Sequence, residues 1–197
     1  PALLALLPLL RSLTIAGASR KGELSLTVTE TEAGVDLAVS GGKPMDPPLF
    51  STLAALAEES DLARLTWEGE PVATRRPPLQ RFGRALVSPP AGSFLQATKE
   101  GEAALLAAVR EAIGPARRIA DLFSGAGTFS LPLAEGAEVH AVESEKAMLA
   151  ALDAGARQTS GLHRVTAEAR DLFRRPLLPE ELNRFGAVVL DPPRAGA

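Results

Sequence analysis

The sequence predicts an α/β protein in which a small β-rich region precedes a region built around a parallel sheet. Residues 23–30 and 35–39 alternate polar and apolar side chains, as half-buried strands do, and residues 32–34 supply a hairpin loop between them. From residue 99 onward, short apolar runs alternate with helical segments, which is typical of parallel strands joined by crossover helices.

Composition excludes several classes of site. The chain has 197 residues, a formal net charge of −3, no cysteine and only two histidines. These residues therefore provide no disulfide, cysteine zinc site, iron–sulfur ligand or thiol nucleophile, and we expect no metal site. The apolar stretch at 1–10 is half the length of a membrane span and lacks the features of a signal peptide, so we expect no membrane partner.

Charge is unevenly distributed along the chain. Residues 64–118 hold 9 basic and 5 acidic side chains, whereas the segments on both sides are acidic. The middle third is therefore the candidate for contacting phosphates, although the same charges would also suit a solvated face.

The element pattern divides the chain into three parts. We expect a β-rich region over 1–76, a connector over 77–98 and a parallel-sheet region over 99–197. The first part is predicted to hold an additional strand at 12–16, a helix at 53–62 and a strand at 63–67; the proline-rich connector is predicted to hold one short strand near 85–87. In the last part the predicted helices cover 99–113, 128–135 and 145–158, and the predicted strands cover 119–123, 138–142, 162–167 and 187–190. Four strands make an incomplete sheet, and a chain that begins at Pro1 and stops after a Pro-Pro-Arg-Ala-Gly run leads us to expect a fragment at both ends.

The sharpest local motif is DLFSGAGTF at 121–129, where a strand ends in an acid, a glycine turn follows and a helix begins. Gly125 and Gly127 permit unusual backbone angles and a close ligand approach. A nicotinamide-dinucleotide fingerprint would need a third glycine near Ser130, which is absent. The carboxylate of Asp121 suits a ligand with an ammonium group, while a tight strand–helix turn is the structural alternative.

Acids also follow the next strands. Glu143 ends a strand 18 residues beyond Gly125 and is a candidate to accept hydrogen bonds from two ribose hydroxyls. Asp171 is a candidate partner of an adenine amino group, but it is equally suited to cap the next helical turn. Asp191 ends the last strand before two prolines, at the sheet edge where ligands of such folds bind.

A further motif, Ser93-Phe94-Leu95-Gln96, precedes the helix at residue 99. Phe94 offers a stacking face, and the amide of Gln96 is able to read a base edge or a ligand. Loop packing is the alternative for both side chains.

Together these motifs resemble a Rossmann-like class I S-adenosylmethionine-dependent methyltransferase and, more narrowly, the bacterial RNA uracil-5 methyltransferases. The resemblance covers about residues 80–197 and is carried by the order and spacing of the runs GSFLQ at 92–96, DLFSGAGTFSLPLA at 121–134, VE at 142–143 and DPPRAG at 191–196.

The resemblance implies which residues bind what. Those expected to bind or shape the site of S-adenosylmethionine are Gln96, Asp121, Phe123, Gly125, Gly127, Thr128, Glu143, Asp171 and Asp191. Those expected to face an RNA substrate, ribosomal or transfer RNA, are Phe94, Gln96, Asp191 and Arg194. Thr128 stands where many members carry asparagine, and Ser124 replaces a common cysteine.

The family's chemistry requires a cysteine thiolate that adds to carbon 6 of uracil and a carboxylate base that removes the carbon 5 proton. Both lie beyond the Pro-Pro-Arg-Ala-Gly run in the family. The resemblance therefore implies that no catalytic residue lies before Ala197, and that residues 1–197 alone bind cofactor without methylating uracil.

Other functions stay open. An amino-group methyltransferase would place an aromatic ring after the two prolines, where Arg194 stands. A non-catalytic module that binds RNA or cofactor agrees with the missing nucleophile. A nicotinamide dehydrogenase is disfavoured by the glycine pattern. We expect a cytoplasmic location, and self-association through the exposed edge of an incomplete sheet.

Overall fold

The computed structural model describes residues 3–19 and 22–193. The chain divides into two compact units. The first comprises the chain up to Leu79 together with Ala91–Ser93, and the second comprises Gln80–Pro90 and the chain from Phe94 onward. The boundary thus lies inside the 77–98 segment.

The first unit is a four-stranded sheet, with strand order β1-β2-β3-β4, against which two helices pack. β1 pairs antiparallel with β2, β2 pairs parallel with β3, and β3 pairs antiparallel with β4. After a 3-10 helix at Leu3–Leu6, the elements are α1 (Leu7–Gly17), β1 (Ser25–Thr31), β2 (Gly34–Ser40), α2 (Pro47–Glu59), β3 (Arg64–Trp67) and β4 (Glu70–Thr74).

The largest side chain in the core of the first unit is that of Trp67, which is 1% exposed. Its ring packs against two glycines, because a Cβ added to either Gly17 or Gly42 would overlap it. The indole N–H donates to the carbonyl of Lys43 at 3.1 Å. The indole is therefore fixed both by packing and by a hydrogen bond.

The strand predicted at 12–16 is wrong, because these residues belong to α1. Thr14 and Ile15 are β-branched and suggested a strand, but Ile15 is exposed, and the hydroxyl of Thr14 donates to the carbonyl of Leu10 four residues earlier. Leu9 and Leu13, at helical spacing, are the residues that α1 buries in the core.

Prolines are frequent over 70–92, and this stretch holds more strands than the one predicted near 85–87. β4 forms in spite of Pro71, its second residue, which lies in an edge strand and pairs with Thr66 beside a register shift. A second pair, β5 (Gln80–Phe82) and β6 (Ala85–Val87), forms an antiparallel hairpin in the second unit.

The second unit is built on the predicted parallel sheet, with strand order β10-β7-β8-β9. Apolar clusters lie on both faces of this sheet, which explains why its strands appear in the sequence as short, continuous apolar runs. Its elements after the hairpin are α3 (Lys99–Ile113), β7 (Arg118–Leu122), α4 (Ser130–Leu133), β8 (Glu138–Glu143), α5 (Lys146–Gln158), β9 (Val165–Ala169), α6 (Pro179–Leu182) and β10 (Ala187–Leu190).

β10 lies at one edge of this sheet within the described part of the chain. Val189 is buried on one face, while Val188 and Leu190 on the other face are 45% and 57% exposed. Neither this unit nor the first contains, within residues 3–19 and 22–193, a helix with the length and apolarity needed to span a membrane.

Candidate functional site

The register of the parallel sheet brings the predicted acids to one edge. Leu122, the last residue of β7, pairs with Val142 of β8 and with Leu190 of β10. Asp121 therefore lies one position before this level, and Glu143 and Asp191 lie one position beyond it. Successive parallel strands thus present carboxylates at the same end of the sheet.

Asp121 is fully buried, and its carboxylate is only half satisfied. Oδ2 accepts the hydroxyl of Ser130 at 2.5 Å, whereas Oδ1 has no hydrogen-bond partner among the described residues. Burial raises the pKa of Asp121 to about 7; the hydrogen bond from Ser130 opposes this shift, and the negative charges of Asp191 and Glu143 add to it. An unpaired buried carboxylate oxygen is costly, and such a group is a candidate binding site for a positively charged donor.

The chain leaves β7 through a strained turn. Phe123 has a φ of +62°, in the left-handed region that a residue with a side chain rarely adopts. The next N–H, of Ser124, donates to the carbonyl of Val142 at 3.1 Å, so the turn stays attached to β8. The hydroxyl of Ser124 is buried and has no partner within the described ranges. Two orphaned polar atoms, Asp121 Oδ1 and Ser124 Oγ, therefore lie at the start of this turn.

The two glycines of the turn have different roles. Gly127 has a φ of +99°, and a Cβ there would lie 3.0 Å from both Leu131 and Leu152, so this glycine allows the turn to pack against α5. Gly125 has a φ of +54°, and nothing lies within 4 Å of the position its Cβ would take. The open space at Gly125 allows a ligand to approach the backbone.

Glu143 ties the ends of β7 and β8 together. Its Oε2 accepts the N–H of Gly125 at 3.1 Å, and its Oε1 accepts the N–H groups of Ser144 and Glu145 at 2.7 and 3.0 Å. The hydroxyl of Ser144 also donates to Oε1, at 3.0 Å. Because Oε2 accepts only one donor here, it retains capacity for another.

The structure brings the other two acids near this edge in different ways. The N–H of Asp191 lies 3.4 Å from the carbonyl of Leu122, which holds the end of β10 beside β7. Asp171 instead uses Oδ1 to accept the N–H groups of Phe173 and Arg174 at 3.0 and 3.2 Å, which is the capping alternative that the sequence left open. Its segment still adjoins the glycine turn, because the ring centroids of Phe173 and Phe123 are 5.2 Å apart.

The remaining predicted residues are Thr128 in the turn, Phe94 and Gln96 in the segment before α3, and Arg194. Thr128 and Gln96 are half-buried, and Phe94 is 74% exposed. Leu95, between Phe94 and Gln96, packs against the apolar cluster that includes Ala126 of the glycine turn. Arg194 lies outside the described residues.

Sequence reasoning missed three residues of this site. The sequence marks Ser130 only as the position of a missing glycine, yet its hydroxyl donates the hydrogen bond that satisfies Asp121 Oδ2. In the sequence, Ser124 is notable only as a replacement for cysteine, because the burial of its hydroxyl and the lack of a partner among the described residues are visible only in the structure. Phe173, which packs against Phe123, gives no signal beyond its apolar character.

This donor set suits a nucleoside that carries an ammonium group. Asp121 offers an acceptor to the cation, Glu143 offers an acceptor to sugar hydroxyls, and Gly125 leaves room for the ligand beside the backbone. The residues present therefore fit the cofactor that the sequence resemblance implies.

The chain is similar in sequence to RNA methyltransferases. The chain is 49% identical over all of its 197 residues to an uncharacterized RNA methyltransferase of Brucella suis, and it spans 48% of that protein. It is 38% identical over 109 residues, 54% of its own length and 24% of the relative's, to the 23S rRNA (uracil(1939)-C(5))-methyltransferase RlmD of Shewanella halifaxensis.

A solved structure shows the fold. The crystal structure of the tRNA (uracil-54, C5)-methyltransferase of Pyrococcus abyssi, in complex with S-adenosyl-L-homocysteine, superposes with a TM-score of 0.65 at 19% identity, covering 87% of this chain and 43% of that one. The fold is that of the class I methyltransferases. The expectation of a class I methyltransferase sheet preceded by a smaller β-rich region is thus confirmed.

The similarity to these relatives covers only part of their length. The chain spans about half the length of the curated RNA methyltransferases that it matches along its whole length. No protein-family model matches the chain.

Proposed function

We propose that this chain provides the S-adenosylmethionine site of an RNA methyltransferase that acts on carbon 5 of a uridine. The observation that carries the proposal is the orphaned oxygen of Asp121, buried at the end of β7 between the carboxylates that end β8 and β10. A fully buried acceptor without a donor is costly unless a ligand supplies the donor.

Each part of the cofactor has a partner in the proposal. Asp121 Oδ1 receives the ammonium group, and Glu143 Oε2 receives a ribose hydroxyl beside the N–H of Gly125. Asp171 and Phe173 border the adenine, and Gln96, Thr128 and Asp191 complete the wall. When bound, S-adenosylmethionine supplies an electrophilic methyl group on its sulfonium.

The residues of the chain bind and orient rather than react. Burial of Asp121 and Ser124 excludes water from the end of β7, so that the hydrogen bonds of a bound ligand form in a low-dielectric environment. Phe94, which is 74% exposed, offers a face on which an RNA base stacks, next to the amide of Gln96.

The choice of uracil carbon 5 is supported by the names of two similar proteins. The Shewanella relative is a uracil-C5 enzyme of 23S rRNA, and the Pyrococcus structure is a uracil-C5 enzyme of tRNA. Carbon 5 is a weak nucleophile until a thiolate adds to carbon 6, and the 197 residues contain no cysteine. We therefore place the nucleophile and the base outside these residues, and we expect the RNA to be bound in the cytoplasm.

Calorimetric titration tests the cofactor site. We expect S-adenosylhomocysteine to bind the chain and NAD not to bind it. Asp121→Asn removes the negative charge at the orphaned oxygen and should weaken binding of S-adenosylhomocysteine at least about tenfold. Asp153→Asn, on the exposed side of α5, is the matched control and should bind as the unchanged chain does. Equal affinity of both variants would refute the assignment of Asp121.

A second measurement separates the candidate reactions. The chain, S-adenosylmethionine and RNA are incubated, and methyl incorporation is followed. We expect none, because no thiolate is available. Turnover would contradict the uracil-5 assignment and favour an amino-group methyltransferase, which needs no covalent adduct. The calorimetric titration tests the remaining alternative, since a module that binds RNA without any cofactor would not bind S-adenosylhomocysteine.

A further inference from the structure

The opposite end of the parallel sheet carries a basic pocket that the cofactor site does not use. A cavity of about 280 Å³ lies where β7, β8 and β9 begin, and three arginines line it: Arg118, Arg164 and Arg184. Arg118 is the first residue of β7, Arg164 directly precedes β9, and Arg184 lies three residues before β10. The carboxylates described above are at the other ends of these strands.

Backbone hydrogen bonds hold the walls of this pocket in place. The N–H of Gly186 donates to the carbonyl of Arg118 at 2.8 Å, which holds the Arg184–Phe185 segment beside β7. The N–H of Val139 donates to the carbonyl of Arg164 at 3.0 Å, which holds Arg164 beside β8. The pocket therefore rests on the rigid sheet rather than on a free loop.

The floor of the pocket is an aromatic stack whose faces are already covered. The ring of Phe185 lies parallel to that of His140, with centroids 5.7 Å apart, and the guanidinium of Arg184 lies 4.9 Å from the Phe185 centroid. His140 contacts Thr166 and Glu168 through its two ring nitrogens, at 2.9 and 3.1 Å. Because the ring faces are occupied, the pocket suits an anion held by the arginines better than a stacked base.

Positive charge in the pocket exceeds negative charge. Of the three arginines, Arg118 faces Glu138 at 3.7 Å, an exposed and weak pair. Within residues 3–19 and 22–193, no carboxylate forms an ion pair with Arg164 or Arg184, although the charge of Arg184 contributes to lowering the pKa of Glu181, which is itself paired with Arg170 at 2.7 Å. Glu168, the other acid beside His140, is also paired with Arg170 at 3.2 Å. Two exposed guanidinium groups that line the pocket thus remain available to an anion.

We propose that Arg164 and Arg184 bind phosphate groups of the RNA backbone, as a second RNA-binding surface at the end of the sheet opposite the cofactor site. Guanidinium groups bind phosphate oxygens in a bidentate manner, and such interactions position an RNA without reading its sequence. The inference rests on the proposed function in taking RNA as the phosphate-bearing polymer.

The test is the salt dependence of RNA binding. Fluorescence anisotropy gives the affinity of the chain for a labelled single-stranded RNA between about 50 and 200 mM KCl. For the double variant Arg164→Gln/Arg184→Gln we expect affinity at the lowest salt to fall about tenfold, and the slope of log K against log salt to fall by about 1.4, or about 0.7 for each phosphate that is no longer neutralised. The control Arg11→Gln/Arg157→Gln removes the same charge from exposed helix surfaces and should change the slope much less.

Two further measurements make the result decisive. The first is the double variant Arg164→Lys/Arg184→Lys, which should keep most of the slope because it keeps the charges. The second is competition by inorganic phosphate at matched ionic strength, which should displace RNA from the unchanged chain and not from the Gln variant. Equal slopes for the pocket variant and the control would overturn the proposal. Titration of S-adenosylhomocysteine on the same variants separates phosphate binding in the pocket from the proposed cofactor site. Unchanged cofactor binding with a reduced RNA slope supports phosphate binding by the pocket. Absent cofactor binding, also on the unchanged chain, counts against the proposed function alone.

Discussion

The Oε2 atom of Glu143 accepts the backbone N–H of Gly125 at 3.1 Å, so that the carboxylate ending β8 fixes the turn that follows β7. The two residues are 18 positions apart in the chain. One side chain therefore has two tasks, since it holds the backbone of the turn and also presents an acceptor beside it.

Glu143→Gln tests this double role. An amide has one acceptor oxygen, and its NH2 group would face backbone N–H groups that now point at a carboxylate. We expect the free energy of unfolding to fall by about 1 to 2 kcal/mol, since charge-assisted hydrogen bonds are lost at a partly exposed site. Affinity for S-adenosylhomocysteine should fall at least about tenfold. Urea unfolding and calorimetry measure the two effects, and Glu145→Gln, an exposed neighbour, should show neither.

Alanine at the two glycines should separate stability from binding. Gly127→Ala places a Cβ 3.0 Å from Leu131 and Leu152 at a φ of +99°, so we expect a loss of about 2 to 3 kcal/mol of unfolding free energy. Gly125→Ala meets no atom within 4 Å and costs only the left-handed backbone, about 1 kcal/mol. Its methyl group should nevertheless abolish most cofactor binding. A Gly125→Ala chain that binds S-adenosylhomocysteine normally would show that the ligand does not lie there.

Asp121 should make stability depend on pH in an unusual direction. Its pKa rises from 3.8 to about 7 on folding, so the folded state holds a proton that the unfolded state has lost between these values. Stability supplied by the protonated carboxyl is complete below pH 3.8 and is lost as the pH rises to about 7. Across that window the free energy of unfolding should fall by about 4 kcal/mol relative to that of Asp121→Asn, in which residue 121 does not titrate. Urea unfolding of both proteins from pH 4 to 8 measures this, and a pH-independent difference would refute it.

The face of β10 should favour self-association. Val188 and Leu190 are 45% and 57% exposed beside a strand edge that no described strand covers. We expect the weight-average mass in sedimentation equilibrium to rise with concentration, and Val188→Thr/Leu190→Thr to reduce this rise while keeping strand propensity. A strictly monomeric chain would contradict the expectation. Val189 is buried on the other face, so its replacement by threonine should lower stability instead.

The parallel sheet was predictable because buried strands and their helices carry strong local patterns. The helix at Lys99–Ile113 and the strand at Ala187–Leu190 have the bounds that the sequence indicates. α1 was not predictable over its whole length, because Thr14 and Ile15 favour a strand locally. The helix is indicated only by the four-residue spacing of Leu9 and Leu13, the two leucines that it buries in the core.

The acids of the candidate site were predictable and their partners were not. Glu143 is the last residue of β8 and Asp121 the second-last of β7, and acids next to short apolar runs are visible in the sequence. The hydrogen bond from Ser130 to Asp121 depends on how the turn folds back over nine residues. Likewise, the arginines of the basic pocket come from three separate stretches, and two of them lie in a segment that is acidic when charges are counted along the chain.

Trp67, fixed beside Gly17 and Gly42, is the one tryptophan of the chain, which contains no tyrosine. Intrinsic fluorescence excited near the red edge of indole absorption therefore originates in the first unit alone. During melting, emission would follow the first unit, whereas far-ultraviolet circular dichroism would follow the helices and strands of both units. Where the two curves separate, the first unit and the parallel sheet lose their structure at different temperatures.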